Sequence, residues 1–131
     1  MGPQIDWEGL AARAWLAREN SYAPYSQFPV GAALLAASGE VFGGCNVENA
    51  SFGLTICAER VAAATAVAAG AREFLGLAIV ADTRDPVLPC GACRQFLAEF
   101  SSQLQIWCCG RDGSGRLMAL GDLLPSPFLR F

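Results

Sequence analysis

Residues 74–81 read Phe-Leu-Gly-Leu-Ala-Ile-Val-Ala, an apolar run without a polar side chain. Such a run is typical of a strand that is buried on both faces, as in the middle of a sheet with helices on either side. The stretch therefore predicts an α/β fold, in which helices cover a sheet that contains this strand.

Helical patterns stand on both sides of this strand. Asp6 is placed to cap a first helix, whose buried stripe would consist of Leu10, Ala11, Trp15 and Leu16. The alanine-rich stretch 56–69 favours a second helix, and residues 91–100 favour a third. Gly70 follows the second helix where a C-terminal stop is expected. These helices would supply the layers above and below the sheet.

The remaining segments alternate between strands and turns. Further strands are predicted at 30–36, 40–46, 105–109 and 117–119, with turns at 38–39 and 111–115 and irregular segments at 21–29, 82–89 and 124–128. No internal repeat or linker interrupts the chain. We therefore expect one α/β domain over residues 1–131 with a mixed sheet.

Composition narrows the functional classes. Apolar residues make up 53% of the chain and charged residues 16%, so some apolar surface is expected to face other subunits. Nine arginines and no lysines against twelve acids give a net charge of −3, and the arginines are scattered. A nucleic-acid polymer is therefore a poor candidate partner. No apolar run is long enough for a membrane span and no signal peptide is evident, so a cytoplasmic protein is expected.

Six cysteines and no histidine are the most informative counts. Without histidine the chain cannot build a Ser-His-Asp triad or a His-ligated metal site. Two cysteine segments stand out, Thr-Ile-Cys-Ala-Glu-Arg at 55–60 and Pro-Cys-Gly-Ala-Cys-Arg-Gln at 89–95. Each opens a predicted helix, where the free N–H groups favour thiolates. Cys57, Cys90 and Cys93 could then hold zinc with a fourth position open for water, as in catalytic sites.

Two residues beside Cys57 complete this hypothesis. Glu59 lies close enough to take a proton from water activated by the metal without binding the metal itself. Three thiolates would leave zinc with a net negative charge, and Arg60 together with the helix ends could compensate for it. Glu59 is thus the candidate proton shuttle, and Arg60 a candidate support of the metal ligands.

Other interpretations of the cysteines remain open. Cys90 and Cys93 could form a thioredoxin-like redox pair, which would leave Cys57 and Glu59 without a role. A closed four-cysteine structural zinc site that includes Cys45 is a further alternative. Cys45, Cys108 and Cys109 are otherwise expected to be packing residues, since free cysteine behaves as a small hydrophobe.

The paired cysteine motifs resemble the zinc-dependent cytidine and deoxycytidylate deaminase superfamily, which has a three-cysteine variant. Segments 22–34, 44–50 and 123–128 are similar to its small, homotetrameric cytidine deaminases, so the resemblance covers roughly residues 20–128. It implies a three-layer sandwich with a mixed five-stranded sheet flanked by helices. It also implies one Zn²⁺ per subunit and hydrolysis of cytidine and deoxycytidine to uridine and deoxyuridine, with release of ammonia, in pyrimidine salvage.

The resemblance further implies the substrate contacts. Asn46 and Glu48 would bind the ribose hydroxyls, Phe28 would stack on the pyrimidine, and the Ala58 N–H would hold the base carbonyl. A buried carboxylate at position 48 would repel a phosphate on the sugar, which favours free nucleosides. The alternative is that Asn46 and Glu48 only hold the loop after the hairpin.

The resemblance also implies how the subunits assemble. In this family neighbouring subunits complete the active sites, and Phe128 would close the pocket. Phe52 stands where the family often has Tyr, so any hydrogen bond of that hydroxyl is absent. A related deaminase that acts on a nucleoside antibiotic or another cytosine derivative remains an alternative, and the sequence does not rank cytidine against deoxycytidine.

Overall fold

The structure is a computed structural model that describes residues 4–129. Its helices are α1 (Trp7–Arg18), α2 (Ala58–Ala68), α3 (Gly91–Ala98) and α4 (Leu120–Leu123). Its strands are β1 (Val30–Ala36), β2 (Val41–Cys45), β3 (Phe74–Ala81), β4 (Gln105–Cys109) and β5 (Gly115–Ala119). A 3₁₀ turn at Phe52–Leu54 precedes α2. The strands form one sheet in the order β2-β1-β3-β4-β5.

The sheet is mixed and covered on both faces. The β3–β4 pair is parallel, and the other three pairs are antiparallel. Leu34 and Ile79 pack in one apolar cluster with α2 and α3, whereas Ala33 and Val80 pack in a second cluster under α1. Neighbouring residues of a strand point to opposite faces, which explains why the apolar run of β3 has no polar position. The predicted three-layer sandwich with a mixed five-stranded sheet is confirmed.

The first helix differs from its prediction on one face. The Asp6 carboxylate accepts a hydrogen bond from Gly9 N at 3.0 Å, as expected of an N-cap. Leu10, Ala11 and Ala14 are buried, but Leu16 is 60% exposed. A helix turns by about 100° per residue, so Leu16 lies about 120° around the axis from Leu10. The predicted stripe is therefore wrong at Leu16.

Element ends also shift. Helix α2 begins at Ala58 and not at 56, because Cys57 has an extended backbone with φ −72° and ψ 154°. Helix α3 ends at Ala98, two residues early, and β5 begins at Gly115 rather than 117. Helix α4 was not predicted, since four residues are too few for a helical period to be visible. No helix within residues 4–129 has the length and apolar character needed to cross a membrane.

A close approach between β2 and α2 fixes the first turn of that helix. A Cβ at Gly44 would lie 2.4 Å from Ala62 N and 2.5 Å from Ala58 O. No side chain fits in this space, so glycine lets the strand pack directly against the helix backbone. This contact places the helix start that carries Cys57 and Glu59.

Candidate active site

Two helix starts carry the three candidate metal ligands. Cys57 is the N-cap residue of α2 and Cys90 that of α3, and Cys93 lies in the first turn of α3. Neither N-cap sulfur is used in capping its own helix. The first N–H groups of a helix lack partners within the helix, and their positive field favours thiolates. The chain thus brings together thiols from two helix N-termini.

The three sulfurs form one compact cluster. The Sγ atoms of Cys57, Cys90 and Cys93 all lie within 4.8 Å of one another, and the Cys57–Cys90 pair is 3.7 Å apart. Ligands held at about 2.3 Å around a tetrahedral zinc are about 3.8 Å apart, so this spacing fits the metal. Cys93 is buried, whereas Cys90 is exposed, which leaves one side of the cluster accessible. The donor set and its spacing fit a zinc ion with three protein ligands.

The other cysteines stay outside this cluster. Among the residues that the structure describes, no fourth Cys, Asp or Glu joins the group. Cys108 and Cys109 are buried on opposite faces of the sheet, and Cys45 borders a depression beside Arg13 and Leu16. Burial raises the pKa of the Cys45 thiol and that of Cys108, the latter to about 12. These thiols lie outside the three-sulfur group, so the arrangement does not favour a closed four-cysteine site.

Hydrogen bonds make the Cys57 thiol more acidic than a free cysteine. Its pKa is lowered to about 5, first because the Cys93 thiol donates to it and further because the Arg60 guanidinium lies beside it. The same contact and burial raise the pKa of Cys93. Arg60 Nη2 donates to Cys57 Sγ at 3.7 Å and to Thr55 O at 3.4 Å. Arg60 therefore places positive charge against a cluster that carries negative charge.

Glu59 lies on the same helix turn but in a different environment. Its side chain is 5% exposed, and it is one of two buried polar residues, with Asn46, among those described. Burial raises the pKa of the Glu59 carboxyl to about 7, and the negative charge at Cys57 acts in the same direction. A carboxyl with a pKa near 7 can both accept and release a proton at neutral pH. The three-sulfur cluster thus has beside it a carboxyl group whose pKa suits proton transfer.

Asn46 connects the end of β2 to the loop before β1. Its Oδ1 accepts from Val30 N at 2.9 Å and from the Ser21 hydroxyl, and its Nδ2 donates to Phe28 O at 2.9 Å. An amide nitrogen carries two hydrogens, so one N–H is left after the bond to Phe28. Asn46 therefore holds the segment before β1 and not, as the alternative had it, the loop after the hairpin, and one donor is left for a ligand.

Glu48 holds the same loop from the other side. Its Oε1 accepts from Tyr25 N at 2.9 Å and Ser26 N at 3.1 Å, and its Oε2 accepts from the Ser26 hydroxyl. These donors, the hydroxyl first, lower the pKa of the Glu48 carboxyl. The expectation that this carboxylate is buried is wrong, since Glu48 is partly exposed. Its charge is therefore maintained by local donors at the protein surface.

A surface depression adjoins Glu48. It has a volume of about 270 Å³ and is lined by Tyr25, Ser26, Glu48, Phe52 and Thr55. The Phe52 ring is 71% exposed and meets Tyr25 edge-on, with 5.6 Å between the ring centres. Phe52 thus lies beside the candidate sugar-binding carboxylate, where its ring packs without a hydroxyl group.

Both candidate aromatic contacts lie at the surface of the single chain. Phe28 is 40% exposed and Phe128 is 65% exposed. Gln95 pairs with the Phe128 backbone through Nε2 to Phe128 O at 2.6 Å and Phe128 N to Oε1 at 3.0 Å. The C-terminal segment is therefore attached to α3, the helix that carries two of the cysteines.

Three residues that the sequence did not single out, Ser26, Arg94 and Gln95, also lie around this site. Arg94 donates to Pro89 O at 2.8 Å and Leu123 O at 3.0 Å, so it links the loop before α3 to the C-terminal segment. The only signal for Arg94 and Gln95 was their position directly after Cys93. Ser26 gave no signal, because its partner Glu48 is 22 residues away along the chain.

Comparison with known proteins gives a consistent result. A model of the zinc-binding region of cytidine and deoxycytidylate deaminases matches residues 6–109. The chain is 48% identical over 125 residues to the cytidine deaminase of Sporosarcina psychrophila, covering 95% of this chain and 92% of that protein. It is 46% identical over 125 residues to the cytidine deaminase of Halalkalibacterium halodurans, covering 95% of each.

Solved structures agree with these relatives. The crystal structure of cytidine deaminase from Burkholderia pseudomallei has a TM-score of 0.91 at 48% identity, covering 95% of this chain and 100% of that chain. The cytidine deaminase of Mycobacterium tuberculosis has a TM-score of 0.84 at 42% identity, covering 95% of this chain and 98% of that chain. Fold and sequence are therefore similar over nearly the whole chain.

Proposed function

The chain belongs to the cytidine and deoxycytidylate deaminase family, and we infer that it hydrolyses cytidine to uridine and ammonia. We propose that deoxycytidine is a substrate too, giving deoxyuridine. The observation that carries the inference is the three-sulfur cluster of Cys57, Cys90 and Cys93 with the buried Glu59 on the adjoining helix turn. Zinc held there would supply a Lewis acid that makes water nucleophilic at neutral pH.

Glu59 is proposed to move the protons. Its carboxylate takes a proton from the water that attacks C4 of the ring and delivers it to the ring nitrogen N3. A second transfer moves the proton of the new C4 hydroxyl to the amino group, and the C4–N bond breaks to release ammonia and leave the C4 carbonyl of uridine. Both transfers need a group that binds and releases a proton near pH 7, in keeping with the raised pKa of Glu59 of about 7.

Substrate recognition is proposed to use both sides of this centre. The N–H of Ala58 lies at the start of α2, where helix N–H groups are free, and would hold the base carbonyl. Phe28 would stack on the pyrimidine, and the remaining N–H of Asn46 and the charged Glu48 would bind ribose hydroxyls. Arg60 would offset part of the negative charge of the thiolates and so preserve the Lewis acidity of the metal.

A panel of substrates tests this specificity. The negative charge of Glu48 is expected to disfavour a phosphate on the sugar, so cytidine and deoxycytidine should be deaminated and CMP should not. Loss of ultraviolet absorbance gives the rates. Turnover of CMP at the rate of cytidine would contradict the proposed sugar site, and turnover of a cytosine-containing antibiotic alone would favour the more specialised deaminase.

Metal analysis tests the centre itself. We expect one zinc per subunit, loss of zinc and activity in Cys57→Ser, and retention of both in Cys45→Ser, because Cys45 lies outside the cluster. Loss of metal in Cys45→Ser would instead support a closed structural site. An isolated protein that reduces disulfides through Cys90 and Cys93 and binds no zinc would support the redox alternative.

We also propose a homotetramer whose subunits share active sites, with Phe128 closing the pocket. The support is the exposed apolar side chains on the segments next to the site: Tyr22, Phe28, Val47, Phe52, Leu54, Ile56 and Phe128. Light scattering should give four times the chain mass. If sites are shared, mixing Glu59→Gln chains with Phe128→Ala chains should restore activity, because some sites then receive an intact Glu59 from one chain and an intact Phe128 from the other. A monomer with full activity would contradict the proposal.

The reaction suggests a cellular role. Deamination returns cytosine nucleosides to the uridine pool, so we propose that the protein acts in pyrimidine salvage in the cytoplasm, without a nucleic-acid polymer or membrane as partner. The substrate panel bears on this directly, since activity on single-stranded DNA or RNA would contradict it.

A further inference from the structure

The hydroxyl group of Ser26 makes hydrogen bonds in two directions. It donates to Glu48 Oε2 and accepts from Phe28 N at 3.1 Å. Glu48 and Phe28 are the residues proposed to contact the sugar and the base, respectively. One oxygen atom thus connects the two halves of the proposed substrate site.

The hydrogen bonds of Glu48 leave little freedom to its carboxylate. Oε1 already accepts from Tyr25 N and Ser26 N, and Oε2 accepts from the Ser26 hydroxyl. A carboxylate offers about four acceptor positions, so about one remains on Oε2 for a sugar hydroxyl. The Ser26 hydroxyl occupies the neighbouring position on that oxygen and so sets the direction of the free one.

The loop itself keeps other anchors. Asn46 holds Val30 N and Phe28 O, and the backbone of Tyr22 bonds to Asn46 O at 3.0 Å and accepts from Glu48 N at 2.8 Å. A tight turn is closed by Gln27 N and Ala23 O at 3.0 Å. Since none of these bonds uses the Ser26 side chain, removing its hydroxyl should leave the loop and the fold in place.

We propose that Ser26 is a positioning residue, whose hydroxyl orients the Glu48 carboxylate toward the sugar and holds it in register with Phe28. This inference rests on the proposed function. It assigns Ser26 no contact with the reacting atoms, so its effect must pass through Glu48 and depend on the sugar hydroxyls of the substrate.

The test compares Ser26→Ala and Ser26→Thr in the zinc-loaded protein. Ser26→Ala should lower kcat/KM for cytidine about tenfold to a hundredfold, as expected for losing one hydrogen bond to a charged group. Most of the loss should lie in KM, with little change in Tm because the Ser26–Glu48 bond lies at the exposed surface. Ser26→Thr keeps a hydroxyl and should recover most of the activity.

A matched control is available on the hairpin. The hydroxyl of Ser38 donates to the Glu40 carboxylate at 3.4 Å and accepts from Glu40 N at 3.3 Å, an exposed Ser–Glu pair that the proposed site does not include. Ser38→Ala should leave both kinetic constants unchanged. An equal effect of Ser38→Ala and Ser26→Ala would overturn the proposal.

Two further measurements separate positioning from general loop stability. In a Glu48→Gln background, Ser26→Ala should have little additional effect, because coupled residues are not additive. With 2′,3′-dideoxycytidine, which lacks both secondary hydroxyls, the Ser26→Ala effect should shrink to about twofold or less. Full additivity with Glu48→Gln, or an undiminished loss on the dideoxynucleoside, would overturn the proposal.

These outcomes are distinct from failure of the proposed function. A wild-type protein that binds zinc and leaves cytidine unchanged would refute the deaminase assignment and with it the role of Ser26. A wild-type protein that deaminates cytidine while Ser26→Ala is equally active would overturn the role of Ser26 alone.

Discussion

Two glutamates near the site have pKa values that are shifted in opposite directions. Burial raises the pKa of Glu59 to about 7. Glu48 is partly exposed, and hydrogen bonds from Ser26 and Tyr25 lower the pKa of its carboxyl. The first environment suits a group that exchanges protons, and the second suits a permanent acceptor. One residue type can therefore serve both proton transfer and sugar binding, because the surroundings determine its chemistry.

The charge of Arg60 can be tested by a single substitution. Arg60→Gln removes the positive charge next to Cys57 Sγ, so the ligands donate more negative charge to the metal and the water is less acidic. We expect kcat for cytidine to fall about tenfold to a hundredfold while zinc is retained at saturating concentration.

The control for this prediction lies just beyond the end of the same helix. Arg72 is exposed and donates to the carbonyl oxygens of Val67 and Ala71, outside the proposed site, so Arg72→Gln should keep full activity. An Arg60→Gln protein with the wild-type kcat would show that the guanidinium has no part in tuning the centre.

The spacing of the cysteines was enough to predict the group of three candidate zinc ligands. Cys90 and Cys93 lie three residues apart at a helix start, and Glu59 follows Cys57 by two, so local geometry defines their neighbourhood. Ser26 and Gln95 were missed because their partners are 22 and 33 residues away and are brought together only by the fold. Roles for Asn46 and Glu48 came from family resemblance, and their loop contacts came only from the structure.

The geometry of the site depends on how α2 packs against β2. The backbone of the helix approaches Gly44 so closely that a methyl group would overlap Ala58 O and Ala62 N. The start of α2 carries the candidate metal ligand Cys57, the proposed proton shuttle Glu59, and Arg60. Any displacement of that turn would therefore move several functional groups together.

Gly44→Ala tests this packing. The added methyl group must push α2 away from the sheet, and overpacking of this kind costs about 1–3 kcal/mol in the free energy of unfolding. We expect a matching loss in urea denaturation and a lower kcat. Gly53→Ala is the control, since nothing lies within 4 Å of its Cβ position. Equal stability of the two variants would contradict the proposed close contact.

The predictability of the elements follows from their length and burial. Strand β3 was placed at its observed bounds because every position faces a covered side of the sheet. Leu16 was assigned to the wrong face because a large apolar residue outweighed Ala14, which is the buried neighbour at the helical spacing. Helix α4 is too short to carry a period, so only tertiary contacts reveal it.

The three-sulfur cluster brings together parts of the molecule that are far apart along the chain. Cys57 belongs to the start of α2, and Cys90 and Cys93 belong to α3, which also holds the C-terminal segment through Arg94 and Gln95. An ion bound by all three sulfurs would tie these elements together in the folded state only. Zinc is therefore expected to stabilise the fold as well as supply chemistry.

Metal removal tests this coupling. Extracting zinc with a chelator under reducing conditions should lower Tm by about 10 °C or more, and adding zinc back should restore it. Cys57→Ser should show the low Tm with or without chelator, because one of its ligands is gone. An unchanged Tm after complete zinc loss would show that the metal does not link the elements.

Chemistry at this site is proposed to need zinc held by Cys57, Cys90 and Cys93 and protons moved by Glu59. The most direct measurement is cytidine turnover by Glu59→Gln, with the zinc content determined on the same sample. The substitution keeps the size of the side chain and removes its ability to carry a proton. We expect one zinc per subunit and a kcat at least about a hundredfold lower than wild type. A Glu59→Gln protein that binds zinc and turns over cytidine at the wild-type rate would contradict it.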